Sequence, residues 1–358
     1  MNENIKKLLE LAVTNKASDV HLAVGMTPKL RVGGKLVEVA GYDRMEKEKM
    51  ETVMMSFLDE GKRKKVELGK EVDFSFSMVG ARFRVNVYRQ SDLLAAAFRV
   101  IPDKIPDFVA LGLPSIFNSL VGVRQGFVLV TGPTGHGKST TVASVLNQIA
   151  QTRTCHIVTI EDPVEYLIDS GKSIVSQREV GTDTKTFASA LRSVLRQDPD
   201  VVFIGEMRDL ETISSALTVA ETGHLVFSTL HTNSAAQTVD RIVDVFPEGE
   251  KEQVRLQLAS TITAVVSERL VPTRDGKVVA AFEVMMGTTA VKNVIREGKT
   301  HLINNIIQTS AEAGMMTLEA SLAKLVKSGQ VDEEMAMSFC LRPSDLQVSL
   351  RKKDGIYE

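Results

Sequence analysis

The stretch Gly132-Pro133-Thr134-Gly135-His136-Gly137-Lys138-Ser139 has the spacing G-x-x-x-x-G-K-S, and it follows the apolar run Val128-Leu129-Val130-Thr131. An apolar strand that passes through glycines into a helix-compatible segment, here Thr140-Thr141 onward, is the context in which such a loop grips nucleotide phosphates. The glycines let main-chain N–H groups turn inward toward phosphate oxygens. A helix beginning near Lys138 adds the positive end of its dipole. In this pattern Lys138 reaches the β- and γ-phosphates, and the Ser139 hydroxyl ligates Mg2+. The motif specifies phosphates and leaves open what their energy is used for.

Three further stretches bring chemistry to strand ends. His156-Ile157-Val158-Thr159-Ile160 runs into Glu161-Asp162-Pro163. A carboxylate there could orient and deprotonate a water near a γ-phosphate. Asp200-Val201-Val202-Phe203-Ile204 runs into Gly205-Glu206. That is the form of a Walker B strand, and Glu206 could hold Mg2+ partly through water. Arg208 and Asp209 extend the same turn and on their own could form a structural ion pair. The segment Gly223-His224 to His231 sets two histidines at opposite ends of one apolar strand. Their spacing does not suit a helical metal pair, whereas a histidine donor beside a γ-phosphate would suit a nucleotide site.

These groups need elements to position them. From about residue 124 onward strand and helix signals alternate, with apolar strands expected at 127–131, 156–160, 200–204 and 224–229. This predicts an α/β domain with a largely parallel sheet, and ligands outside the carboxyl ends of its strands. Beyond residue 250 the pattern predicts mainly helix, near 249–269, 288–297, 300–309, 317–327 and 332–339. The first hundred residues read as α+β. Helices are expected over 3–15 and 44–60, a strand entry at 18–22, and a hairpin about Gly33-Gly34. Strands follow at 72–76, 82–89 and 94–100. Arg82, Arg84, Arg89 and Arg99 fall on these strands as an outward polar row. The proline-interrupted run Ile101 to Asp107 is read as the connector.

Composition narrows the classes. A chain of 358 residues suggests two domains, and 43 Lys and Arg against 45 Asp and Glu give a net charge of −2. That balance argues against nucleic acid as the main partner. Cys155 and Cys340 have no metal-ligand spacing, which fits a reducing cytosolic setting without structural zinc. No window approaches 18 uninterrupted apolar residues, and the first residues lack the apolar run of a signal peptide. Membrane association is therefore expected to be peripheral or through a partner.

The four motifs occur together and in order: Gly132 to Thr140, Thr159 to Pro163, Gly205 to Thr212, and Gly223 to His231. With them the chain resembles the secretion ATPase superfamily that powers type II and type IV secretion systems and type IV pili. Within it, the Gly205–Thr212 run, the segment Asp240 to Pro247 and the short N-terminal domain look most like the PilT family of pilus retraction motors. Ala290 to Lys299 resembles that family's C-terminal retraction motif, with Val291 and Lys292 where Ile and Arg are commoner. The resemblance implies a PAS-like domain over 1–103, a linker over 104–114 and a RecA-like ATPase domain over 115–358 with a helical C-terminal part. It implies a homohexamer using ATP and Mg2+ in the cytoplasm, held peripherally at the inner membrane through the pilus machinery and its platform protein.

Roles follow from the resemblance too. Glu161 would be the general base and Glu206 the magnesium acid. His224 and His231 would be the histidine-motif residues, with His231 sensing the γ-phosphate. Arg84 and Arg99, with Arg82 a weaker candidate, would reach nucleotide from the N-terminal domain, and Arg269 would sense phosphate. His136 stands where the family usually has serine. Extension motors usually carry an extra N-terminal domain and a four-cysteine zinc site. Neither pattern is found here, which favours retraction. The alternatives are an accessory motor of the same superfamily, a non-hydrolysing regulatory module, and a DNA translocase on a RecA-like core.

Overall fold

The computed structural model describes residues 3–78, 80–102 and 104–352. Two compact units emerge from the backbone: Met1–Lys104 with Pro163–Leu167, and Ile105–Asp162 with Ile168–Glu358. Asp103, the expected end of the first domain, lies outside the described residues.

The first unit contains α1 (Glu3–Thr14), β1 (Asp19–Ala23), β2 (Lys29–Val32), β3 (Lys35–Glu38), α2 (Lys47–Phe57), α3 (Glu60–Glu67), β4 (Val72–Met78), β5 (Ala81–Gln90) and β6 (Leu93–Pro102). Its strands form an antiparallel sheet in the order β3-β2-β1-β6-β5-β4. Along β5, buried Phe83, Val85 and Val87 alternate with outward Arg82, Arg84 and Asn86. This is the period of two expected of a sheet with one covered face. Leu8, Met50, Met54, Phe83 and Phe98 fill that core. The helix expected over 44–60 is shorter, because the chain extends at Leu58 and Asp59 starts a new helix by accepting from Lys62 N at 2.9 Å. Ile101 and Pro102 belong to β6 and not to a connector; a terminal strand position tolerates the missing N–H of proline.

In the second unit the order is α4 (Ile116–Gly122), β7 (Gly126–Thr131), α5 (Lys138–Thr152), β8 (His156–Glu161), β9 (Ile174–Glu179), α6 (Phe187–Val194), β10 (Val201–Ile204), α7 (Leu210–Glu221), β11 (Leu225–Leu230), α8 (Ala235–Asp244), α9 (Lys251–Thr261), β12 (Ile262–Pro272) and β13 (Val278–Met286). Then come α10 (Thr289–Arg296), α11 (Ile303–Thr309), α12 (Leu318–Lys327), α13 (Glu333–Phe339) and α14 (Pro343–Arg351). The sheet order is β13-β12-β7-β11-β10-β8-β9, parallel except for β13. Every residue of β7, β10 and β11 is buried. Leu129, Val202 and Ile204 face one apolar layer, while Val128, Val130, Val201 and Phe203 face the other. A strand covered on both faces reads as a continuous apolar run, which is why these were expected.

Expectation and structure differ here at β12 and β9. The helix predicted over 249–269 stops at Thr261, and Ile262-Thr263-Ala264-Val265-Val266 begins β12. Branched side chains and pairing with both β7 and β13 override the helical spacing. The edge strand β9 was not expected, because its Ser176-Gln177-Arg178-Glu179 half carries no apolar signal.

Candidate functional site

Parallel register brings the motifs to one edge. Ile204 pairs with Ile160 and Ser228, Leu230 with Thr131, so Glu161, Glu206, His231 and Gly132 all stand at carboxyl ends of neighbouring strands. Asp209, instead of pairing with Arg208, caps α7 by accepting from Thr212 N at 2.9 Å.

The loop between β7 and α5 follows the course its glycines allow. Gly132 has φ +146°, and a Cβ there would lie 2.3 Å from the carbonyl oxygen of Glu268. Gly137, at φ +95°, is the residue before α5, and a Cβ would approach Glu268 Oε1 to 3.2 Å. Lys138 is buried and folds back over the loop, donating from Nζ to the carbonyls of Gly132 and Pro133, each at 2.9 Å. Its Nζ and the Thr134 hydroxyl both lie 3.3 Å from His231 Nδ1. With two donors converging on Nδ1, the ring proton belongs on Nε2, which donates to Glu206 Oε1 at 3.1 Å. Arg208 grips the same carboxylate with Nε at 2.6 Å and Nη2 at 2.7 Å. Burial would raise the Glu206 pKa, but Arg208 and His231 outweigh it and hold the carboxyl below its ordinary range. A cleft of about 450 Å³ opens beside Glu206 and His231. A larger groove of about 1030 Å³, lined by Ile116, Phe282 and Lys324, holds none of these residues.

Glu161 is buried on the far side of β10, where its Oε1 accepts from Thr159 Oγ1 at 2.6 Å and from Gln177 Nε2 at 3.1 Å. Gly135 and Thr140 complete the loop and first turn. Ser139 is half-buried at the start of α5, and its hydroxyl has no hydrogen-bond partner among the described residues. A free hydroxyl and a carboxylate fit Mg2+ that draws its remaining ligands from phosphate and water. Among the described residues no cluster of three or more His, Cys, Asp or Glu could hold a metal by itself.

Other candidates sit elsewhere. His224 stands at the amino end of β11, with Nδ1 3.1 Å from Thr222 Oγ1 and Val219 O, roughly 20 Å along the strand from His231. Arg269 donates from Nη1 to Phe339 O at 2.8 Å, so its guanidinium is directed at the C-terminal helices. Burial lowers its pKa, against the attraction of Glu319 and Glu283. In the first unit, Arg84 and Arg99 are direct cross-strand neighbours. Arg84 pairs with Asp73 at 3.2 Å and Glu165 at 3.5 Å, and Arg99 with Asp19 at 3.2 Å.

Glu268 is a residue packed against the loop that the motifs did not indicate. Only 1% exposed, it lies under the loop and accepts from Thr141 Oγ1 at 2.7 Å, leaving Oε1 without a partner among the described residues. Burial pushes its pKa up to about 7, against Thr141 and Lys138. Strand alternation through Ser267-Glu268-Arg269 would have placed it inward, had β12 been read as a strand.

The family model described as type II/IV secretion system protein matches residues 1–337. The chain is 46% identical to the type IV pilus retractation ATPase PilT of Pseudomonas aeruginosa, over 93% of this chain and 97% of that one. It is 48% identical to a twitching motility protein of Neisseria gonorrhoeae, over 87% and 83%. A crystal structure of the pilus retraction motor PilT with bound ADP superposes with a TM-score of 0.89 at 45% identity, covering 96% of this chain and 99% of that one.

Proposed function

The chain belongs to the type II/IV secretion system protein family, and from that premise we propose that it is an ATP-hydrolysing motor that powers retraction of a type IV pilus. One observation carries the reading at the level of chemistry. The loop lysine, the histidine after β11 and the acid after β10 already form a continuous chain, Lys138 to His231 to Glu206.

When ATP enters, its phosphates replace the Gly132 and Pro133 carbonyls as partners of Lys138, and the loop N–H groups take the β-phosphate. Ser139 and Glu206 would hold Mg2+, which would supply positive charge to offset that of the phosphates. His231 senses the γ-phosphate from across the loop. Glu161 takes the proton of the attacking water as oxygen bonds to the γ-phosphorus and the bond to the β-phosphate oxygen breaks, releasing ADP and phosphate.

Arg84 and Arg99 are proposed to close on the nucleotide of a neighbouring protomer in a homohexamer. Two guanidinium groups directly across a strand pair repel each other. A triphosphate between them would relieve that cost, as the acids Asp73, Glu165 and Asp19 do here. Ring assembly and catalysis would then be coupled. No helix among the described residues is long and apolar enough to cross a membrane. We place the motor at the cytoplasmic face, engaging an inner-membrane platform protein of the pilus machinery.

Deleting the gene in its host and scoring twitching zones tests this. The wild-type gene should restore retraction and Glu161→Gln should not. Retraction unchanged by the deletion would contradict the assignment.

A further inference from the structure

The P-loop is also fastened on the side away from His231. The β7–β12 ladder ends at the pair Thr131 and Ser267, because β7 gives way to the loop while β12 continues to Pro272. Beyond that point the edge of β12 that faced β7 has lost its strand partner. The main-chain N–H of Leu270 finds its acceptor in the loop itself, His136 Nδ1, at 2.9 Å. An imidazole nitrogen that accepts carries no proton, so His136 is neutral with its proton on Nε2.

Resting on the nucleotide site proposed above, we propose that His136 is a positioning residue for the phosphate grip. Its neutral ring stands in for the absent β7 carbonyl and pins the loop to β12. Protonation breaks the pin, so nucleotide affinity falls in acid.

The charged groups facing the ring are Arg269 from β12 and Lys138 from α5, and the Glu268 carboxylate lies under the neighbouring Gly137. Burial first, then Arg269 and Lys138, push the His136 pKa below its ordinary 6.5. The sign is fixed by that direction. The unfolded chain takes its proton near 6.5 and the folded loop only at lower pH. The pin's contribution is therefore complete above 6.5 and is lost as pH falls through the folded value.

The test measures affinity for a fluorescent ADP analogue with Mg2+ at pH 8 and pH 5, in wild type, His136→Ala and His136→Asn. The analogue's own phosphate titrates, so ratios between proteins at each pH are the readout. At pH 8, His136→Ala should bind about three- to tenfold more weakly, the size of one lost hydrogen bond. His136→Asn, whose side-chain oxygen accepts but does not titrate, should recover most of that loss. At pH 5 wild type should fall toward the level of His136→Ala while His136→Asn stays above both. Ratios that do not change with pH, or His136→Ala binding as tightly as wild type at pH 8, would overturn the proposal. Wild type failing to bind at either pH would instead remove the nucleotide site, and this inference with it.

Discussion

The two sides of the P-loop are built from different contacts. Toward His231, the partners are side chains that can let go: His231 is 40% exposed, Arg208 77%, and Lys138 holds loop carbonyls that a phosphate can replace. Toward β12, the contacts are buried or half-buried and include main-chain groups. Gly132 lies where a Cβ would strike the Glu268 carbonyl, Thr141 donates to the buried Glu268 carboxyl, and His136 accepts from the Leu270 main chain. Exposed ion pairs are cheap to exchange, whereas buried polar groups are costly to leave unmade. A loop that must exchange ligands every cycle is thus anchored on one side and open on the other.

Substitutions on the two sides should therefore fail in different ways. The largest effect is expected at the open edge, where Glu161→Gln should lower kcat by about 10³ through loss of the proton acceptor. ADP affinity and Tm should stay near wild type; a matching fall in Tm would erase the distinction. On the anchored side, Glu268→Gln should act on stability. A carboxyl raised from 4.5 to about 7 stabilises the fold below 4.5, and that contribution is lost as pH rises to 7. Removing the charge should stabilise the protein by up to about 3 kcal/mol at pH 8 and hardly at all at pH 4. Melting curves at the two pH values check this, and equal shifts at both would show that Glu268 does not titrate beneath the loop.

Much of this contrast could be read from residue types alone. The open edge was legible because β7, β8, β10 and β11 are short apolar runs, each followed at once by glycine, acid or histidine. Parallel pairing then had to gather those residues. The anchored side was not legible, because the helical spacing of α9 runs on into β12 and masks the strand preference of its branched residues. With β12 taken as helix, Glu268 had no place under the loop, and Arg269 had no reason to face Phe339. His136 was visible as an unusual loop residue, but its acceptor role needs the strand edge that β7 abandons. The edge strand β9, which supplies Gln177 to Glu161, gave too short an apolar signal, Ile174-Val175 before a polar half.

The central claim is that nucleotide is bound and cleaved at the loop where Lys138 meets His231 and Glu206. Steady-state ATPase of the purified protein beside Lys138→Ala, at a concentration where wild type is fully assembled, tests it most directly. The account predicts turnover by wild type and none above background for Lys138→Ala; near-wild-type turnover in the variant would contradict it.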